Sequence, residues 1–466
     1  MSWSIIRASR PLAAFTVALT LGTAVAAQQQ EAPSAGDANQ KKPLSAEASD
    51  PRTMGWMQGF PPPKDKRIMQ PESDYFSFPK LRWSACHTRQ LLPTVEINRG
   101  LKSAIPLTYL PPAELARSMR TINALTFRPL NSDNPLTWEQ SLGVNYTDGM
   151  LIIHRGQVIY EWYSGCLEPD GKHAAMSMTK SLTGLLAEIL IAEGKLDPNA
   201  PVTRYVPEVA NSAFGTATVR DVMNMTTGLD YSEDYTDPNA GVWKYSAAAS
   251  PLPKPAGYTG PVGYYEALEQ IKPEGKNGEA FHYKTPNADM VGWIVSRVSG
   301  KSVASLASDR LWRRMGAEQD AYMTVDAYGV PFAGGGLSAG MRDMGRIGLL
   351  MLNKGVINGE RLFPAAAVEA IRTGGDPKKF GTAYPALAGG TYAGLWWVYP
   401  SDRMVVAARG VYGQTVYVDW DADMVLIRFA SMPTASNALN DPTSLPAYRA
   451  VSAYLKSLPH RTSAPQ

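Results

Sequence analysis

Between Ser177 and Gly194 the apolar residues Leu182, Leu185, Leu186, Ile189 and Leu190 recur at three- and four-residue steps. That spacing lays them on one helical face and predicts a helix over the run, with Gly194 near its left-handed end. Just upstream the pattern is that of strands. Met150–His154 and Gln157–Tyr163 are apolar-rich runs separated by Arg155-Gly156, which reads as two strands and a tight turn. Thr218-Val-Arg-Asp221 is a capping box that opens a short helix towards Met225. Asn287–Val298 and Ser302–Met315 read as further helices, and Met341–Leu352 as one opened by Ser338. The last third returns to strands at Gly394–Tyr399, Met404–Arg409, Thr415–Trp420 and Met424–Phe429, the final pair joined by Asp421-Ala-Asp423. Pro446–Leu458 reads as a closing helix, and no fixed-period repeat is present.

Strands towards both ends with helices between them predict an α+β fold, one sheet built from both halves of the chain with a helical insertion. The sheet part is expected over about 71–195 and 335–466, the helical part over about 196–334. A cleft between two such parts is where sites tend to lie. Residues 28–70 are rich in Gln, Ala, Ser, Pro and Lys and read as a linker or flexible arm, stiffened at Pro61-Pro62-Pro63, with order expected from about Tyr75-Phe76.

Composition narrows the functional classes. The net charge of +3 is small for 466 residues and no Lys/Arg run forms a basic stripe, so a nucleic-acid partner is not indicated. Arg7 and Arg10, the apolar run Pro11–Ala24 and the small residues Ala24, Ala26 and Ala27 read as a secretory signal over 1–27, cut after Ala26 or Ala27. The apolar run is too short for a membrane anchor, so an exported protein, periplasmic or secreted, is expected. Cys86 and Cys166 could form one disulfide or stay as two buried thiols, since sequence does not give their distance. The five histidines show no metal-ligand spacing, so neither a metal nor a cofactor is expected. Oligomeric state is open.

Ser177-Met178-Thr179-Lys180 carries the chemistry. Residues three apart share a helix face, so Lys180 Nζ can reach Ser177 Oγ. A lysine made neutral by burial can take the serine proton, and the helix N-terminus favours the negative charge of attack. The plain alternative is a serine cap with an exposed lysine. A second such tetrad, Ser77-Phe-Pro-Lys80, has no helical pattern after it. Tyr283, in Phe281-His282-Tyr283 at the mouth of a predicted helix, is placed to relay a proton; its plain alternative is a half-buried aromatic.

Ser177-Met-Thr-Lys-Ser-Leu-Thr-Gly-Leu-Leu, Met225-Thr-Thr-Gly-Leu-Asp-Tyr-Ser-Glu-Asp-Tyr235, Gly334-Gly-Gly-Leu-Ser-Ala339 and Tyr412-Gly-Gln414 together resemble the serine β-lactamase and penicillin-binding superfamily. The likeness is to its class C-like branch, and within it to 6-aminohexanoate-dimer hydrolases. It covers about Leu142 to the C-terminus and touches Met54–Phe60. The resemblance implies a β-lactamase-like fold, an antiparallel sheet flanked by terminal helices. It implies Ser177 as nucleophile, Lys180 as base and Tyr283 sharing the proton work. Tyr235 and Trp397 would contact substrate, and the N–H groups of Ser177 and Val411 would form the oxyanion hole.

Two departures shape the expected substrate. Thr285 stands where the family's asparagine follows its tyrosine, and Val411 where its third motif has a cation or imidazole. Without that side chain a β-lactam carboxylate loses a partner. A serine hydrolase cleaving linear amides or carboxylic esters through an acyl-enzyme is therefore expected ahead of a β-lactamase or D,D-peptidase. A non-catalytic recognition module is the remaining alternative. Gly336-Leu-Ser338-Ala-Gly340 matches a nucleophile elbow, but lacks a good strand before it and a useful histidine after it; Ser338 reads as a helix cap. Ser132-Asp133-Asn134 reads as a polar turn.

Overall fold

The computed structural model describes residues 43–69, 74–235, 237–400 and 404–459. The leader expected over 1–27 lies outside them.

The central sheet takes strands from both halves of the chain. β1 (Thr94–Ile97) belongs to a smaller sheet, whereas β2 (Thr108–Tyr109), β3 (Thr147–His154) and β4 (Gln157–Tyr163) enter the central one. The Arg155-Gly156 turn has both residues at positive φ, the geometry of a tight hairpin. β5 (His173–Ala174), β6 (Ala321–Thr324) and β7 (Leu337–Ala339) complete the small sheet in the order β1-β6-β7-β5. β8 (Thr391–Ala393), β9 (Trp396–Val398), β10 (Val405–Gly410), β11 (Gln414–Asp419) and β12 (Met424–Ala430) complete the central sheet in the order β8-β9-β10-β11-β12-β3-β4-β2. Its pairs are antiparallel except β2–β4 at one edge, which is parallel.

Helices cover both faces. Position 348 of α4 (Met341–Leu352) has no side chain, which lets the helix lie against Val425 on one face of β12. Tyr448 of the C-terminal helix (Asp441–Ser457) meets Tyr417 on the opposite face, with ring centroids 5.5 Å apart. Between the two sets of strands lie α2 (Val219–Met223), closed by the expected Thr218–Asp221 capping box, and α3 (Pro286–Ser299). Threaded through the middle is α1 (Met178–Ala192), whose residues Met178–Leu190 are all buried. Each Leu or Ile so buried contributes about 1.5–3 kcal/mol, so α1 is anchored by its surroundings as well as by its own turns.

Several elements differ from expectation. The arm expected over 28–70 packs where it is described: Pro51–Met54 form a helical turn, and Trp56 and Ile68 are buried beside Tyr75, Phe76, Trp83, Met176 and Val411. Packed structure is thus already present ahead of Tyr75, at Trp56 and Ile68. Spaced aromatic and aliphatic residues inside a polar composition supply enough apolar surface for one small cluster, which compositional averaging hides. The closing helix starts at Asp441 and carries Pro446 inside it; the Pro442 carbonyl that Pro446 cannot bond accepts from Leu130 N–H at 2.9 Å instead. Ser338 is not a cap. It is buried in β7, paired with β6 and β5, and Gly340 caps α4. The predicted 302–315 helix is an α-turn run at Val303–Ala307 continued by a π-helical turn at Ser308–Trp312.

Cys86 and Cys166 form a disulfide. Both sulfurs lie near His173 in a group that could hold a metal ion, but they are bonded to each other. Among the described residues no helix is long and apolar enough to cross a membrane.

Candidate active site

Ser177 occupies the N-cap of α1, yet its hydroxyl makes no capping bond. The chain arrives through Met176, which has a positive φ of 49°. Its carbonyl accepts from the Thr179 N–H and hydroxyl, and Thr179 Oγ1 in turn accepts from Leu337 N–H at 3.0 Å. The nucleophile turn is therefore tied both to its own helix and to β7.

The plain alternative for Ser177-x-x-Lys180 required an exposed lysine, and Lys180 is 0% exposed. Its Nζ lies 2.8 Å from Ser177 Oγ and 2.6 Å from Gly334 O. A Cβ at position 334 would sit 2.7 Å from Thr285 Cγ2, so the glycine lets that carbonyl reach the lysine. Burial pulls the Lys180 ammonium down to about 8, against Glu233 and Asp289, which pull it back up. The same burial pushes the carboxyls of Glu233 and Asp289 up to about 8 and about 7, with Lys180 opposing in both cases. An amine that is partly free near neutral pH is what a general base requires.

Tyr283 precedes α3 and is 1% exposed. Burial and then Glu233 push its phenol well above the ordinary range, opposed by hydrogen bonding with the Ser177 side chain. Lys180 Nζ stands 5.2 Å from its ring centroid. Ser177, Lys180 and Tyr283, which the sequence placed on two distant segments, thus share one buried corner.

Adjacent residues on a strand face opposite ways, and Trp396 and Trp397 use both directions. Trp396 Nε1 donates to Ser181 O of α1 at 2.9 Å. Trp397 stacks on Tyr283, with centroids 5.4 Å apart and planes 21° apart, while the Arg409 guanidinium lies over it at 5.4 Å. The resemblance put Trp397 against substrate. In the structure it is 2% exposed, lies among Phe281, Phe380, Tyr384 and Tyr392, and backs Tyr283. Tyr235 is half-buried, edge-on to Trp243, and its buried hydroxyl has no protein partner within hydrogen-bond distance. Tyr283 and Tyr412 are among the groups acting on it, which locates it at the same corner.

Val411 follows the end of β10, where Gly410 packs against the nucleophile turn. A Cβ on Gly410 would meet Ala175 O at 2.8 Å and Met176 Cβ at 3.0 Å. The N–H groups of Met178, Thr179 and Tyr412 donate to turn or loop carbonyls, whereas those of Ser177 and Val411 are not among such donors in the described residues. Two N–H groups left over where two segments meet can serve a developing oxyanion.

The site is built from a serine on a buried helix, its lysine and a tyrosine, under an antiparallel sheet. The β-lactamase family model matches residues 143–445. The chain belongs to the beta-lactamase family. It is 34% identical over 360 residues to a 6-aminohexanoate-dimer hydrolase of Paenarthrobacter ureafaciens, covering 76% of this chain and 86% of that one. A solved structure of a candidate 6-aminohexanoate-dimer hydrolase from Bacillus anthracis superposes with TM-score 0.74 at 27% identity, over 86% of this chain and 100% of the other. A penicillin-binding protein homologue from Caulobacter crescentus shares the fold at TM-score 0.53 and 16% identity, over 76% and 100%. The β-lactamase-like α+β fold read from the motifs is thereby established.

Glu233, Asp289, Gly334 and Gly410 were not singled out from the sequence. Glu233 lay inside the quoted Met225–Tyr235 run, and Asp289 interrupts the apolar face of the Asn287 helix. A carboxylate inside an apolar run was the available signal for Asp289, whereas Glu233 sits between Ser232 and Asp234 and gave none.

Proposed function

We propose that this protein is a serine hydrolase that cleaves linear amides of the 6-aminohexanoate-oligomer type, or carboxylic esters, through an acyl-enzyme. The observation that carries the reading is the 2.8 Å contact between Lys180 Nζ and Ser177 Oγ with both groups buried. Ser177 Oγ attacks the substrate carbonyl as its proton passes to Lys180. The N–H groups of Ser177 and Val411 donate to the carbonyl oxygen as negative charge builds on it. Lys180 and Tyr283 return the proton to the leaving nitrogen or oxygen as its bond to carbon breaks. Water then attacks the acyl-enzyme, giving its proton to the same pair, and the acid leaves as Ser177 is reprotonated. The Tyr235 hydroxyl, lacking a protein partner, is available to the substrate amide. The amide preference draws on the Paenarthrobacter relative's name and on Val411, which offers no cation to a β-lactam carboxylate.

The test compares wild type with S177A on the linear 6-aminohexanoate dimer, p-nitrophenyl butyrate and a chromogenic cephalosporin. Turnover of the dimer or the ester that vanishes in S177A, with a far slower cephalosporin reaction, is expected. Equal rates in the two proteins on every substrate overturn the proposal.

We also propose export. The leader pattern supports it, and the Cys86–Cys166 disulfide suits an oxidising compartment. A mature N-terminus at Ala27 or Gln28 in a periplasmic or medium fraction is expected; an intact Met1 retained in the cytoplasm contradicts it.

A further inference from the structure

Tyr412, which the reaction above leaves unused, directly follows Val411 and stands in a backbone conformation that disfavours a side chain. Its φ is 60° and its ψ 14°, the left-handed region, where a Cβ crowds the carbonyl oxygen and glycine is the usual occupant. Such a conformation persists only where the surroundings over-determine it, and it marks positions kept for function. The surroundings here do so. Tyr412 N–H donates to Ala435 O and its carbonyl accepts from Met432 N–H, both at 3.2 Å. The neighbouring carbonyls are held as well: Gln414 Nε2 donates to Val411 O at 3.0 Å, and Arg428 Nε to Gly413 O at 2.8 Å. Two residues earlier Gly410 packs on the nucleophile turn, where its Cβ would meet Ala175 O at 2.8 Å and Met176 Cβ at 3.0 Å. A bulky aromatic is thus pinned, against its backbone preference, at the junction of nucleophile and oxyanion segments.

The side chain packs against the cluster that holds Trp56 and Ile68 of the arm together with Met176 and Val411, and Met54 and Met57 pack on the same cluster. Burial pushes the Tyr412 phenol up to about 12, yet the residue keeps part of its surface open. A ring set deep in protein and still accessible lines a recess. We propose that Tyr412 is a specificity-determining residue: its ring, backed by the arm, forms the cleft wall beside the oxyanion donors and takes the methylene chain that flanks the scissile carbonyl of a linear amide or ester. The proposal rests on the hydrolase reading and on Val411 N–H as a donor. An aromatic face offers such a chain apolar contact without a charge to desolvate. It also accounts for the strain, since glycine would fill position 412 at lower cost but would leave no wall.

The experiment compares wild type, Y412F and Y412G on two ester series. The acyl chain varies in p-nitrophenyl acetate, butyrate and hexanoate, and the alcohol chain in ethyl, butyl and hexyl acetate. Glycine suits the left-handed backbone, so Y412G removes the ring without forcing the turn. In wild type and Y412F, kcat/KM should rise with chain length in one series. Y412G should lose that rise, by about tenfold or more at the longest chain, mainly through KM. A purely structural role would lower every ester by the same factor; that result, an unchanged profile in Y412G, or an equal loss in Y412F overturns the proposal. In parallel, hexanoate and hexylamine, the two apolar halves of a linear amide, are titrated calorimetrically into S177A and S177A/Y412G. Weaker binding of one of them to the double variant is expected; equal behaviour of both, including no binding, overturns the proposal. Absent ester turnover in wild type overturns the hydrolase reading instead, and the titrations still decide the role of Tyr412.

Discussion

Trp397 stacks on Tyr283 at 5.4 Å and carries the Arg409 guanidinium on its ring, and Arg409 in turn pairs with buried Asp441 of the C-terminal helix. The phenol that faces Ser177 is therefore held from behind by the sheet. Replacing Trp397 with Ala should lower kcat by about 10²-fold, the scale of a misplaced catalytic group, with a smaller change in KM. W397F should recover much of the loss. A large KM increase at unchanged kcat would instead place Trp397 against substrate, as the family resemblance implied.

The pH profile follows from Lys180. Only the free amine can take the serine proton, and burial pulls the group down to about 8. kcat/KM should therefore rise tenfold per pH unit on the acidic side and level off above about 8. Glu233 and Asp289 titrate in the same region, so the limb belongs to the cluster and not to one residue. Tyr283 is held well above 10, so it removes no activity up to pH 10. A limb in the ordinary carboxylate range, near 4, contradicts the assignment of the base.

Gly410 sets the distance between the two proposed oxyanion donors. In G410A the new Cβ would stand 2.8 Å from Ala175 O and push β10 away from the nucleophile turn. Loss of one well-placed donor is worth about 10²–10³ in kcat. The expected result is a fall of that order with KM little changed and circular dichroism like wild type. Wild-type kcat in G410A would mean that Val411 N–H does not serve the oxyanion.

The Cys86–Cys166 bridge links residues 80 apart and holds residues 81–86 against β5, where Ala174 N–H donates to Ala85 O at 2.7 Å. The C86S/C166S double variant should lose about 2–5 kcal/mol of unfolding free energy in a denaturant titration. A change below about 0.5 kcal/mol would mean that the bridge contributes nothing the surrounding packing does not already supply.

The periodic elements were legible because one rule decides them. Leu182 to Leu190 mark α1 by spacing alone, and Thr218–Asp221 mark α2 by a local cap. The serine–lysine pair was legible for the same reason, since three residues on a helix fix the contact. Glu233 was not legible, because its importance lies in what surrounds it: Thr285, Lys180 and the phenols come from other segments. The arm failed for a related reason. Trp56 and Ile68 lie in short apolar groups, Met54–Met57 and Ile68-Met69, and they are buried in a cluster with Met176 and Val411 far along the chain.

The central claim is that Ser177 is the nucleophile. Folded protein treated with a fluorophosphonate probe and digested for mass spectrometry should carry one adduct, on Ser177, absent from S177A and slowed in K180A by about 10²–10⁴-fold. Folded protein with Ser177 unlabelled, or labelled on another serine such as Ser338, would contradict it.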